Sequence, residues 1–164
     1  MTTAIYPGSF DPLTFGHLDI LERCVRLFDH VVIAILTSSQ KTPLFSIDER
    51  LAMVREIVNP KFPNVEIEKE VFRGLLVDYA QRKNAHVIVR GIRAVTDYEY
   101  ELQMALMNRR LAPAIETVFM MPAENYSYLS SHLVKEIAGH GGAIAGLVPE
   151  LVEKRLKEKF RKSS

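Results

Sequence analysis

Tyr6-Pro7-Gly8-Ser9-Phe10-Asp11-Pro12-Leu13-Thr14-Phe15-Gly16-His17 is the stretch on which the reading of this chain turns. It follows a β-prone run, Thr3-Ala4-Ile5-Tyr6, and leads into an amphipathic helix that starts near Gly16. A strand, a turn-rich loop and a helix N-terminus in succession present backbone N–H groups to a phosphate. Gly8 permits a tight or φ-positive turn. Ser9 adds a hydroxyl and His17 an imidazole, so the loop suits chemistry on a phosphate as well as the holding of one. The plainer alternative is a helix capped by Thr14 or Asp11 with His17 on the surface. A lone Gly-His pair would favour that alternative; the full Pro-Gly-Ser-Phe-Asp-Pro and Thr-x-Gly-His pattern weighs against it.

Outward from this loop, β-prone and helical segments alternate. Strands are expected at Thr3–Tyr6, His30–Leu36, Val65–Val71, His86–Val89 and Ile115–Met120. Val31 to Leu36 is continuously apolar, as in a strand covered on both faces. In the first helix Leu18, Leu21, Val25 and Phe28 form an apolar stripe, widened by Ile20, Cys24 and Leu27, while Asp19, Glu22, Arg23 and Arg26 face away. Ser46-Ile47-Asp48-Glu49 has capping-box spacing before a second helix. Thr96-Asp97-Tyr98-Glu99 repeats that spacing before a helix running through Leu111. A shorter helix fits Leu75–Lys83, and two more fit Ser131–Ala138 and Pro149–Lys159, with Pro149 in the first turn. Gly139–Gly146 reads as a glycine-rich hinge between these last two helices, not as a domain boundary. Strict alternation predicts an α/β fold, a doubly wound parallel sheet with helices on both faces, forming one domain over residues 1–164. Ligands of such sheets sit beyond the carboxyl ends of the strands.

The loops after the strands therefore hold the candidate residues. Lys41 follows the second strand; alone, such a lysine is most often a solvated cation, and its place in this architecture is what raises it. Leu75 and Leu76 follow the third strand and either wall a pocket or begin a helix core face. Arg90-Gly91-Ile92-Arg93 ends the fourth strand, where arginine forks match phosphate oxygens and Gly91 admits a close approach. Glu101 either accepts a hydrogen bond from a ribose or belongs to a solvated face. After the fifth strand, Ser130 and Ser131 cap a helix whose N-terminus also suits a terminal phosphate.

Composition narrows the class. A chain of 164 residues with 48% hydrophobic and 25% charged content has the make-up of a globular protein. The formal net charge of +1 argues against a broad nucleic-acid surface. The lone Cys24 is expected as a small core residue. No signal-peptide pattern and no bilayer-length apolar run is present, so a cytoplasmic location and no membrane association are expected. The chain lacks the Gly-x-Gly-x-x-Gly and Gly-x4-Gly-Lys-Ser/Thr fingerprints, which argues against a nicotinamide dehydrogenase and a P-loop kinase. No Cys or His cluster suggests a metal site.

Taken together, Ser9-Phe10-Asp11-Pro12, Thr14-x-Gly16-His17, Arg90-Gly91-x-Arg93-Ala94, Asp97 to Glu101 and Ser130-Ser131-x3-Lys135 resemble the bacterial phosphopantetheine adenylyltransferases, within the nucleotidyltransferase superfamily. The resemblance runs over nearly the whole chain. It implies a Rossmann-like five-stranded sheet of order 3-2-1-4-5. It implies adenylyl transfer from ATP to 4′-phosphopantetheine, giving dephospho-coenzyme A and pyrophosphate, the penultimate step of coenzyme A synthesis. It further implies Mg²⁺ with ATP, a homohexamer built as a dimer of trimers, and coenzyme A as a feedback inhibitor by analogy. Carried over by position, His17, Lys41 and Arg90 would be catalytic. Ser9, Phe10, His17, Gly91, Ile92, Arg93 and Glu101 would surround ATP. So would Tyr126, Ser127, Tyr128, Leu129, Ser130, Ser131 and His132. Ser9, Lys41, Leu75, Leu76 and Arg90 would bind phosphopantetheine. His132 stands where the family usually has a small hydroxyl residue. The competing readings are a nucleotidyltransferase for another small phosphate acceptor and an ATP-binding sensor without turnover.

Overall fold

The computed structural model describes residues 1–37, 42–93 and 95–162. Strands β1 (Thr3–Gly8), β2 (His30–Leu36), β3 (Ile67–Phe72), β4 (Val87–Gly91) and β5 (Glu116–Met120) form one sheet in the order β3-β2-β1-β4-β5. All pairings are parallel. The order reverses at β1, so the loops after β1 and β4 lie side by side at the carboxyl edge. The helices are α1 (Phe15–Leu27), α2 (Ile47–Lys61), α3 (Leu76–Arg82), α4 (Val95–Leu111), α5 (Ser131–Gly139) and α6 (Glu150–Lys162). None of the described helices is long and apolar enough to cross a membrane.

Both faces of the sheet are covered, as the unbroken apolar run in β2 requires. Val31, Ile33 and Ile35 pack with Leu18, Leu21 and Cys24 of α1 and with Val54 and Val58 of α2. Val32 and Ala34 point the other way, toward Val77 and Ala80 of α3 and Ala112 after α4. A third cluster joins α2, α5 and α6 through Met53, Val134, Val152 and Leu156.

The structure departs from expectation at several places. Leu27 is 67% exposed instead of widening the α1 stripe. It lies about 180° around the helix from Leu18, at the last turn, where the sheet no longer covers it. Strand β3 runs Ile67–Phe72, so Val65 and Glu66 precede it. Helix α4 begins at Val95, which places Thr96 inside the helix and not at its N-cap. Pro149 precedes α6 and lends its carbonyl to the Glu153 N–H, the position of an N-cap and not of the first turn. The Gly139–Gly146 segment is a pinned turn instead of a hinge. Gly141 takes φ +76°, and a Cβ on Gly142 would meet Ile137 Cγ2 at 2.6 Å. Beyond it Ile144 and Val148 are buried, and the Leu147 carbonyl accepts the Phe15 N–H at 3.0 Å.

Helix α4 is inverted. Among its described residues the buried side chains are polar, Glu101 and Asn108, while Tyr98, Tyr100, Leu102, Met104, Leu106, Met107 and Leu111 are exposed.

Candidate active site

The β1–α1 loop is built around a buried ring. Phe10 adopts φ +47° and its side chain is buried, edge-on to Tyr6 at 5.5 Å and to His17 at 5.1 Å. A Cβ on Gly8 would meet the Phe10 ring at 3.1 Å, close enough that the ring would have to shift by a few tenths of an ångström to admit it. With its ring buried, Phe10 offers a ligand only its backbone.

Thr14 caps α1, and His17 closes a capping box. The His17 N–H donates to Thr14 Oγ1 at 3.4 Å, and the Thr14 N–H donates to His17 Nδ1 at 3.0 Å. A backbone N–H can only donate, so Nδ1 keeps its lone pair and the neutral ring carries its proton on Nε2. Thr14 thus caps the helix as in the plainer alternative, but His17 is held part-buried within the cap and is not a surface residue. The Phe15 N–H is taken by the Leu147 carbonyl, whereas the Gly16 N–H has no partner among the described residues. Gly16 lines the cavity, and a Cβ there would make only ordinary contacts, the nearest at 3.5 Å. A donor left open at a helix N-terminus suits an anion.

Burial, followed by the charges of Arg93 and Arg90, pushes the His17 imidazole down to about 4. In the unfolded chain it titrates near 6.5. Between these values the unfolded state binds a proton that the native state refuses, so this group removes stability as pH falls from about 6.5 to about 4. His17→Gln is expected to flatten that part of the stability–pH curve. Urea melts across the window check this; a slope identical to wild type would contradict the neutral assignment.

Two cavities meet at this loop. One, of about 490 Å³, is lined by His17, Gly16, Gly91, Arg93, Tyr126 and Leu129, among others. The other, of about 840 Å³, runs toward Leu75, Leu76, Met104, Asn108, Phe72 and Thr42. Pro7, Gly8, Ser9, Arg90, Glu101 and His132 belong to both walls, as does Tyr100, and so mark the throat between them.

Arg90 is held at that throat. Its Nε and Nη2 donate to the two carboxylate oxygens of Glu101 at 2.8 and 2.6 Å, and Nη1 donates to the Pro7 carbonyl at 3.3 Å. Glu101 is therefore not a solvated charge: each of its oxygens accepts one Arg90 N–H, and each keeps a further acceptor site at the cavity wall. Arg93 donates from Nη1 to the Leu129 carbonyl at 3.2 Å and from Nε to Asp97 at 3.2 Å. Gly91 faces the smaller cavity, while the Ile92 N–H is already given to the Met120 carbonyl at 3.0 Å.

The α5 segment contributes unevenly. The Ser130 hydroxyl accepts the Leu133 N–H at 3.0 Å as the N-cap, and the Ser131 hydroxyl donates to the Pro12 carbonyl at 2.7 Å. Tyr126 stacks on Phe15 and lines the smaller cavity. Ser127 turns back onto the Glu124 carbonyl, and Tyr128 is 62% exposed outside both cavities. His132 is exposed at the throat, with Glu136 at 3.9 Å. Lys41 lies outside the described residues.

Four residues of this neighbourhood escaped the sequence-level list of ligand groups. Asp11 and Arg50 are each 4% exposed in the wall of the larger cavity, and Lys135 stands beside them. Asn108, 8% exposed, puts an amide with no hydrogen-bond partner among the described residues on that same wall. Lys135 and Asp11 stood inside quoted motifs. Arg50 and Asn108 carried no local signal.

Comparison with known proteins bears on this site. A family model described as cytidylyltransferase-like matches residues 5–137. A phosphopantetheine adenylyltransferase of Caldanaerobacter subterraneus subsp. tengcongensis is 52% identical over 163 residues, 99% of this chain and 100% of that protein. One of Desulfatibacillum aliphaticivorans is 54% identical over 159 residues, covering 97% of this chain and 89% of its own length. Among solved structures, Plasmodium falciparum nicotinic acid mononucleotide adenylyltransferase complexed with NaAD superposes with a TM-score of 0.69 at 14% identity, over 99% of this chain and 95% of that one. A lipopolysaccharide core biosynthesis protein of Thermoplasma volcanium does so with 0.58 at 21% identity, over 76% of this chain and 99% of that one. These structural likenesses speak for the fold alone.

Proposed function

The chain belongs to the phosphopantetheine adenylyltransferase family, and from that premise we propose the following assignment of its reaction to its residues. The enzyme transfers the adenylyl group of ATP to 4′-phosphopantetheine, releasing pyrophosphate and forming dephospho-coenzyme A. The observation that carries the assignment is the pair of cavities joined at Ser9 and Arg90. Two substrates that react phosphate to phosphate need two chambers with one cationic throat.

ATP occupies the smaller chamber. Its phosphates approach the open Gly16 N–H and His17, and its nucleoside lies along Gly91, Arg93, Tyr126 and Leu129. The pantetheine arm lies in the larger chamber. Leu75, Leu76 and Met104 suit its thin alkyl parts, and the Asn108 amide, without a partner among the described residues, suits its amide groups. A phosphate oxygen of the acceptor attacks the α-phosphorus in line, and pyrophosphate departs on the opposite side. The nucleophile is already anionic, so no strong base is required. Rate enhancement then rests on positioning and on donors aimed at developing charge. His17 Nε2–H donates to an α-phosphate oxygen, Arg90 draws the two phosphates together at the throat, and Lys41, between β2 and α2 in the sequence, assists.

Mg²⁺ enters as part of the Mg·ATP substrate. The described residues contain no group of three or more His, Cys, Asp or Glu able to hold an ion. Asp11, Asp97 and Glu101 at the cavities each face a cation of the protein. Triphosphate oxygens and water are the ordinary ligands of such an ion.

The working form is a homohexamer in the cytoplasm, one nucleotidyltransferase domain per chain, with coenzyme A as a feedback inhibitor. The exposed apolar side of α4 supports assembly, since a helix that buries Glu101 and exposes Leu102, Leu106 and Leu111 leaves a patch for other copies to cover. Sedimentation equilibrium is expected at six chain masses; a monomer at micromolar concentration would remove this part.

The deciding assay is pyrophosphate release from Mg·ATP with 4′-phosphopantetheine. Nicotinate mononucleotide, and glycerol phosphate with CTP, serve as controls. Release with phosphopantetheine alone, with dephospho-coenzyme A as product, is expected. ATP binding without release for any acceptor would leave a sensor instead.

A further inference from the structure

The β1–α1 loop is tied to the segment around α2 by a buried set of charges that touches no reacting group. Arg50, on α2, donates from Nη1 to the Ser9 carbonyl at 2.8 Å and to the Leu36 carbonyl at 3.2 Å. Its Nε donates to the Phe45 carbonyl at 3.1 Å. Asp11 accepts the Leu44 N–H at 3.0 Å, the Phe45 N–H at 2.8 Å and Lys135 Nζ at 3.0 Å. Arg50 therefore grips the end of β2 and the start of the α2 approach, and Asp11 grips the same approach and α5. Ser9, which precedes both in the chain and lies in the throat, is held by its carbonyl.

We propose that Asp11 and Arg50 are positioning residues for the acceptor: together they set the wall of the larger chamber relative to the throat. This rests on the reading of the larger cavity as the phosphopantetheine chamber. The backbone they hold at Leu36 and Leu44–Phe45 flanks Thr42 and Pro43, and Leu36, Thr42 and Pro43 line the larger cavity only. Ser9 lines both chambers, but the rest of the ATP side is built differently: the polar contacts that set His17 (Thr14) and Arg93 (Asp97 and Leu129), and the pairing of Gly91 with Met120 of β5, include neither Asp11 nor Arg50. A purely structural pair would weaken both chambers together as the fold loosened. A positioning pair aimed at the acceptor weakens one.

Two near-isosteric or charge-preserving variants test this. Asp11→Asn keeps the volume but turns one carboxylate oxygen into an amide that faces N–H donors. Arg50→Lys keeps the charge but loses the fork that spans three carbonyls. Dissociation constants are measured separately for 4′-phosphopantetheine and for α,β-methylene-ATP, with circular dichroism melts alongside. Each variant is expected to bind phosphopantetheine at least about tenfold more weakly, with less than about a threefold change for the ATP analogue, the size of effect expected when a supporting contact lets a site shift. Unchanged phosphopantetheine binding in a folded variant, or equal losses for both ligands, would overturn the proposal and leave the reaction assignment intact. A wild-type protein that binds the ATP analogue but not phosphopantetheine would overturn both.

Discussion

His17→Ala is expected to lower kcat by about 10²–10³ with a much smaller change in either KM, as for the loss of one donor to a developing oxyanion. The geometry makes this more than removal of a nearby imidazole. Because the Thr14 N–H fixes Nδ1 as acceptor, Nε2–H is the group that can donate to substrate. The Phe10 ring beneath and the α1 backbone behind leave the imidazole little freedom to turn away. His17→Asn separates the donor from the ring, since its amide is too short to reach as Nε2 does, and it is expected to behave like alanine. Steady-state kinetics with both substrates varied decide the matter. A kcat within a factor of about 3 of wild type would remove His17 from the chemistry, because a lost transition-state donor costs far more.

Arg90→Met is expected to abolish measurable turnover and also to destabilise the fold. It strips the throat of its fixed cation and leaves the Glu101 carboxylate without its partner. Glu101 is 7% exposed, so the orphaned charge cannot readily hydrate. Breaking one half of a buried pair costs about 3–5 kcal/mol, and the lower end applies because the Arg90 side chain is 31% exposed. The pair Arg90→Met with Glu101→Leu then separates the two roles. It should recover most of the stability, since no charge is left unpaired, and none of the activity. Chemical denaturation alongside pyrophosphate release tests both halves. Recovery of activity in the double variant would show that Arg90 serves only to neutralise Glu101.

The contrast between these residues shows what each level of structure decides. The alternation of β-prone and amphipathic segments was enough for a doubly covered parallel sheet, because the periodicities of strand and helix are local properties. The Gly8–His17 loop was legible for the same reason: the cap, the turn and the imidazole lie within one short stretch. Element ends were less so. Thr96 had the spacing of a cap, but α4 begins at Val95. Leu27 had the right residue type for a stripe that the sheet does not reach.

What the linear chain could not display are contacts closed across distance. Lys135 meets Asp11 over 124 residues, and Arg50 meets Ser9 over 41. No periodicity encodes such a meeting; it follows only when the sheet order brings β1 between β2 and β4. The same holds for Glu101, which could have been a solvated charge until β4 placed Arg90 against α4 and buried the pair. The sequence by itself determined the fold class, the phosphate loop and the family pattern, because each is written in neighbouring residues. Only the tertiary structure decided which charges are buried, which face of α4 is left bare, and that two chambers share one throat. Burial and long-range pairing are properties of the packed chain, where removal of water makes a carboxylate depend on one particular cation.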